Sequence, residues 1–321
     1  MTKNWTESTP SDAGCGLFFL RSGLRPSLQK NKPPSQRSSL VKTIATCYCN
    51  SPKWSNLLCG FLKEKYDCNI SYHNLAVGGT SSLFGFVRLM RMLPYETADI
   101  VLLCYGQNDD EKDFSFFYEG LLRSVLKKFG STPVICLLES SQRKETKKIR
   151  DIRKIAAHYN CSIADTINAF SKTHREYCEL SAPDGVHLND DGQRVYAECV
   201  LETIVKADNP VFSSPLSNAV KVFEHFHYIP LWQMDFNNGA YTCEVGGEMI
   251  GFVCIETPNG GEYEILLNGE VVRQGNFHHE FEFSWERVYL LSRGKISGRL
   301  QIKLKNPADA EFAGGIFTVG V

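Results

Sequence analysis

The chain has 321 residues, 43% apolar and 22% charged, with 35 Lys+Arg against 36 Asp+Glu and a net charge of -1. That length argues for about two domains. The near-neutral balance excludes a strongly basic nucleic-acid binder and gives no reason to expect a polyanion or a membrane surface as partner. No apolar run reaches the roughly 18–20 residues that span a bilayer, and Gly16–Leu20 is too short for the apolar region of a signal peptide. Twelve cysteines without a leader read as free thiols of a reducing compartment, which points to a cytoplasmic protein.

Residues 1–40 are polar and interrupted by Pro33 and Pro34, and read as an irregular N-terminal segment. Over 41–208 strands and helices alternate. Strands are expected at Val41–Cys49, Ile70–Leu75, Asp99–Tyr105, Pro133–Leu138 and Cys161–Asp165, the third and fourth apolar on both faces as buried parallel strands are. Between them, helical spacing covers Lys53–Tyr66, Ser82–Leu93, Phe116–Phe129, Glu145–Tyr159 and Gly192–Lys206. That rhythm predicts a three-layer α/β domain with a parallel sheet. A cluster of Pro, Ser and Asn marks a boundary near 208–220. Over 216–321 short alternating runs at Tyr241–Val245, Met249–Ile255, Tyr263–Leu267, Glu270–Arg273, Phe281–Phe283, Arg287–Leu291 and Leu300–Leu304 are separated by Asn-Gly turns, which predicts an all-β sandwich.

Three segments fall at the C-terminal ends of expected strands or at the entry to the last helix, where open α/β sheets bind their ligands. Asn74–Ser82 contains Gly78 and Gly79, and a glycine lets a backbone N–H approach a reacting oxygen closely. Gly106-Gln107-Asn108-Asp109 offers the Asn108 amide as a donor to a developing oxyanion. Asp184-Gly185-Val186-His187 sets a carboxylate three residues before an imidazole that it can orient. Each has a plainer reading: a tight turn, a strand-to-loop turn, and a surface turn before a helix capped by Asn189 or Asp190.

In order and spacing the three blocks resemble the SGNH (GDSL-type) hydrolases, in the branch with a trailing β-sandwich. The resemblance implies a serine esterase acting on an acyl or O-acetyl ester, of a carbohydrate or small molecule. It implies His187 as general base and acid, Asp184 as its orienter, Gly79 N–H and the Asn108 amide as the oxyanion hole, and neither metal nor organic cofactor. An acyltransferase would use the same residues; a catalytically silent glycan-binding protein would keep the fold without the nucleophile. The family's Gly-Asp-Ser block is not present. By position Ser51, at the turn after Val41–Cys49, is the substitute; Ser39 and Thr43 are the alternatives, and Ser51 followed by Pro52 also reads as a helix N-cap.

Other chemistry finds less support. Cys47 and Cys49 have no matching pair at zinc spacing, although Cys49 could serve as a thiol nucleophile. His225 with His227 and His278 with His279 read as polar positions of β edges, and Lys144, Lys147, Lys148, Arg150, Arg153 and Lys154 as the solvated face of a helix. Residues 33–48 lack the apolar strand that both flanks call for, the mark a compensated reading-frame error would leave. Resequencing the coding DNA checks this: an unambiguous frame through residues 30–50 ends the idea.

Overall fold

A computed structural model of the chain describes residues 16–22 (backbone only), 54–67, 70–91, 97–140, 143–280 and 282–320. They form two compact units that divide between Leu216 and Ser217.

The first unit is built on a five-stranded sheet in the order β2-β1-β3-β4-β5, with β1 Gly16–Ser22, β2 Ile70–Asn74, β3 Ile100–Cys104, β4 Val134–Leu137 and β5 Ser162–Ala164. β3, β4 and β5 run parallel. β1 lies between β2 and β3 and is antiparallel to both, so β2 and β3 end on the same side. The expected strand Val41–Cys49 lies outside the described residues. The expectation that residues 1–40 are wholly irregular is corrected by β1. Its seven residues are too few for a bilayer or a signal peptide, but they match the ordinary length of a strand.

Helices cover both faces. Ile100, Leu102 and Cys104 of β3, with Ile135 and Leu137 of β4, share one core with Trp54, Leu58 and Leu62 of α1 (Trp54–Tyr66), Phe170 of α5 (Thr166–Ser171), and Tyr196, Ala197 and Val200 of α6 (Asp190–Val205). Val101, Leu103, Val134 and Cys136 alternate with these and are equally buried. Their face belongs to α2 (Ser82–Arg91), α3 (Phe114–Phe129) and α4 (Lys147–His158), which pack on one another. Every residue of β3 and β4 is buried, which is why these strands read as unbroken apolar runs.

The stretch 208–216 is bound to this unit. Val211 N–H donates to Tyr159 O at 2.7 Å, and Arg123 Nη1 donates to Ser213 O at 2.7 Å. Leu216 N–H donates to Glu119 Oε1 at 2.7 Å, and that same carboxylate takes the Tyr159 hydroxyl.

The second unit is one antiparallel sheet in the order β10-β9-β11-β8-β12-β6, with β7 on β8. Its strands are β6 Phe226–Pro230, β7 Asp235–Asn237, β8 Ala240–Glu256, β9 Glu262–Leu267, β10 Glu270–Asn276, β11 Trp285–Leu304 and β12 Ala313–Val319. The separate runs expected at 241–245 and 249–255 are one strand, as are those at 287–291 and 300–304. Glu282 and Phe283 form a bend instead of the expected strand. Two register shifts in the long pair, between Leu290 and Ser292 and between Arg293 and Ile296, bend the ladder as bulges do. The stretch of β8 that pairs with β12 then faces β9: the Phe252 ring lies 5.3 Å from Tyr263 and 6.4 Å from Phe277, centre to centre. The sandwich is therefore a single sheet folded over its own core.

Phe252 joins the two halves of that core and is fully buried. Phe252→Ala is expected to remove about 3–5 kcal/mol of stability. Urea unfolding of the full chain checks this, and an unchanged transition would contradict the folded-sheet account.

Candidate active site

The loops after β2 and β3 meet at a buried carboxylate. Asp109 Oδ1 accepts the Ser82 N–H at 2.8 Å and the Ser82 hydroxyl, and Oδ2 accepts the Gly106 N–H at 3.1 Å. Ser82 opens α2, so the carboxylate sits at a helix N-terminus, where unpaired donors and the helix dipole favour a negative charge. Burial pushes the Asp109 carboxyl up, and the Ser82 and Gly106 donors with the Lys148 charge pull against it. Lys148 also clamps the loop from outside, donating to Gln107 O at 3.2 Å and Asp109 O at 2.8 Å. The reading of the basic helix as a solvated face holds for Lys144, Lys147, Arg150 and Lys154, which are exposed, and is corrected for two residues: Lys148 is spent on this loop, and Arg153 on Asp165 at 3.0 Å.

Gly79 and Asn108 stand on these two joined loops, and both are exposed. Gly79 has φ +70° and Gly106 φ +128°, conformations that favour glycine. The Val77–Thr80 turn is closed by the Thr80 hydroxyl on Val77 O at 2.6 Å.

Asp184 and His187 are in direct contact. Asp184 Oδ1 accepts the N–H groups of Val186 at 2.8 Å and His187 at 2.9 Å, while Oδ2 takes His187 Nδ1. The turn is closed by Ala182 N–H on His187 O at 2.8 Å and Gly185 N–H on Ala182 O at 2.9 Å. With Nδ1–H given to Asp184, Nε2 is left as the basic nitrogen. The His187 side chain is 31% exposed and that of Asp184 47%. The His187 ring donor and the two backbone N–H groups hold the Asp184 carboxyl well below the usual carboxylate range. Asn189, not Asp190, caps α6, accepting the Gly192 N–H at 3.0 Å.

Beneath the strand ends lies a second buried carboxylate, Glu139. It takes Arg143 Nη1 at 2.9 Å, the Tyr196 hydroxyl at 2.8 Å and the Cys104 thiol at 3.0 Å. Burial alone would raise its pKa, but the Arg143 charge with the Cys104 and Tyr196 donors holds it below the ordinary value. Arg143 lies over the rings of Phe170 at 5.1 Å and Tyr196 at 5.2 Å.

Ser51, Ser39, Thr43, Cys47 and Cys49 lie outside the described residues. The structure thus brings Asp184 to His187 and sets Gly79 and Asn108 on loops joined through Asp109. Sequence reasoning missed Asp109, Lys148, Glu139 and Arg143. Asp109 stood in the same four-residue block as Asn108 and could have been singled out there; the Glu139–Arg143 pair had no local signal. His278 Nδ1 and His279 Nε2 face backbone oxygens of Pro258 at 2.7 Å and Glu256 at 3.0 Å. Among the described residues no group of three His, Cys, Asp or Glu side chains could hold a metal ion, and no helix is long and apolar enough to cross a membrane. Among the described cysteines, Cys136, Cys161, Cys178, Cys199, Cys243 and Cys254 are free thiols.

Residues 43–195 match the GDSL-like lipase/acylhydrolase family. Through its α/β unit the chain is similar to that family of lipases and acylhydrolases. No curated protein sequence matches it. Two solved structures share the fold of both parts. A two-domain esterase (CEX) active on acetylated mannans, co-crystallised with mannopentaose, is 18% identical with a TM-score of 0.66, over 84% of this chain and 86% of that one. A second structure of a two-domain CEX esterase active on acetylated mannans is also 18% identical with a TM-score of 0.66, over 83% and 85%.

Two outcomes follow from the geometry. Asp109→Ala leaves buried donors on both loops without an acceptor and is expected to destabilise by roughly 1–3 kcal/mol, read by urea unfolding; an unchanged midpoint would contradict the tie between the loops. The folded-state pKa of Asp184 is depressed, so its contribution to stability is present above the unfolded value of about 3.9 and is lost only as pH falls through the lower folded value. A carbon-detected NMR titration should find Asp184 still ionised where ordinary aspartates are half protonated; a midpoint near their value would contradict the three-donor geometry.

Proposed function

We propose that the protein hydrolyses a carboxylic ester, an acyl or O-acetyl group carried on a carbohydrate or a small molecule. The observation that carries this reading is the Asp184–His187 contact, with Nε2 left free to act as a base. His187 Nε2 takes the proton of a serine hydroxyl as the oxygen bonds to the ester carbonyl carbon. Gly79 N–H and the Asn108 amide donate to the oxyanion that forms. His187 then gives its proton to the leaving alcohol, and water repeats the sequence to release the acid. Asp184 holds the ring and stabilises it while protonated.

Ser51 is our choice of nucleophile. What supports it is the fixing of the start of α1 beside α6. Trp54 N–H donates to Gln193 Oε1 at 2.7 Å, and the Trp54 and Tyr196 rings lie 5.0 Å apart. Ser51 precedes Trp54 by three residues, a reach of at most about 11 Å, and His187 precedes Gln193 by six. An acetylated glycan as substrate is supported by a fold shared with an esterase active on acetylated mannans, and by the near-neutral charge, which suits an uncharged ester. The free thiols support a reducing compartment.

Hydrolysis of p-nitrophenyl acetate by the wild type, Ser51→Ala, His187→Ala and Asn108→Ala tests the scheme. Activity should be lost in the first two variants, and kcat should fall about 10²–10³-fold in Asn108→Ala. Activity unchanged in His187→Ala would overturn the mechanism. Activity lost there but kept in Ser51→Ala would move the nucleophile elsewhere.

A further inference from the structure

Besides its own backbone bonds, the Asp184–His187 turn is tied to the preceding segment by a phenol. Tyr177 belongs to a short 3-10 helix, Tyr177–Glu179, between α5 and the turn. Its hydroxyl donates to Val186 O at 3.0 Å. Val186 is the residue between Gly185 and His187, and its own N–H is already bound to Asp184. The bond from Tyr177 therefore fixes the peptide plane that leads directly into His187. The phenol ring packs on Phe170, with centres 6.3 Å apart, and Phe170 lies under the Arg143 guanidinium. Arg143 is in turn bound to buried Glu139 at the end of β4. A continuous set of contacts runs from the sheet through Glu139, Arg143, Phe170 and Tyr177 to the backbone of the turn.

We infer that Tyr177 is a positioning residue for His187: its hydroxyl on Val186 O holds the Asp184–His187 turn at the height set by the Glu139–Arg143 pair. Two features fit this role. The turn is otherwise exposed, with Asp184, Gly185 and Val186 all open to solvent, and exposed turns move unless they are tied. Burial pushes the Tyr177 phenol up, and neighbouring Glu139 and Asp184 push it the same way against Arg143, which favours the protonated, donating form. The inference rests on the ester-hydrolysing reading for its kinetic consequence, but not for its structural one.

Tyr177→Phe is the test, because it keeps the ring on Phe170 and removes only the hydroxyl. Two readouts apply. The first is the far-downfield proton resonance of His187 Nδ1–H, assigned by its loss in His187→Ala. It should broaden or disappear in Tyr177→Phe, since the Asp184 contact is no longer held in one geometry. The second is ester turnover: kcat should fall roughly three- to tenfold, the scale of one neutral hydrogen bond, with KM unchanged. A resonance identical to that of the wild type in Tyr177→Phe overturns the inference whatever the kinetics. The resonance requires no turnover, so a wild type that hydrolyses no ester would defeat the functional proposal and leave this one standing on the spectrum.

Discussion

A carboxylate buried at the end of a sheet must be met by donors or counter-charge, because desolvation alone is costly. This protein buries two on the side where its parallel strands end. Asp109 is met by backbone N–H groups and a hydroxyl from two loops; Glu139 is met by Arg143, Tyr196 and Cys104. Satisfying them fixes everything above: the loop of Gly79 against the loop of Asn108, and α6 with its preceding turn against β4. Loops that carry chemistry need a rigid support, and here the support is electrostatic as well as apolar. The exposed pair, Asp184 with His187, contrasts with these two. It is closed by local bonds and left accessible at one nitrogen.

Much of the α/β unit was legible because its signals are local. Buried strands β3 and β4 are unbroken apolar runs, and α1, α3, α4 and α6 follow helical spacing closely. The Asp184–His187 contact was legible for the same reason, since three residues of spacing and one turn suffice to form it. What escaped depends on distance along the chain. Glu139 and Arg143 matter through Tyr196, more than fifty residues further on, and no window of sequence joins them. β1 escaped because its neighbours in the sheet lie some fifty and eighty residues away, while its own short apolar run is flanked by polar, broken sequence.

The β unit was legible in kind and misread in detail. Alternation marked strands correctly, but the pattern breaks at a bulge, where an extra residue shifts the alternation by one. Runs that look separate at 287–291 and 300–304 are therefore one strand, interrupted in periodicity and continuous in hydrogen bonding. β12 was hidden by Gly314 and Gly315, residues that ordinarily weaken a strand, yet its partners β8 and β6 flank it on both sides. The bulges turn one ladder into a sandwich, so a single fused sheet serves where two were expected.

The central claim is that His187, held by Asp184, activates a serine for attack on an ester carbonyl. Treatment of the full chain with an activated organophosphonate, followed by mass spectrometry of its peptides, tests this directly, since such reagents trap an activated hydroxyl covalently. The account predicts a single adduct on Ser51 that does not form in His187→Ala. An adduct that forms equally well without His187, or no serine adduct at all, would contradict it.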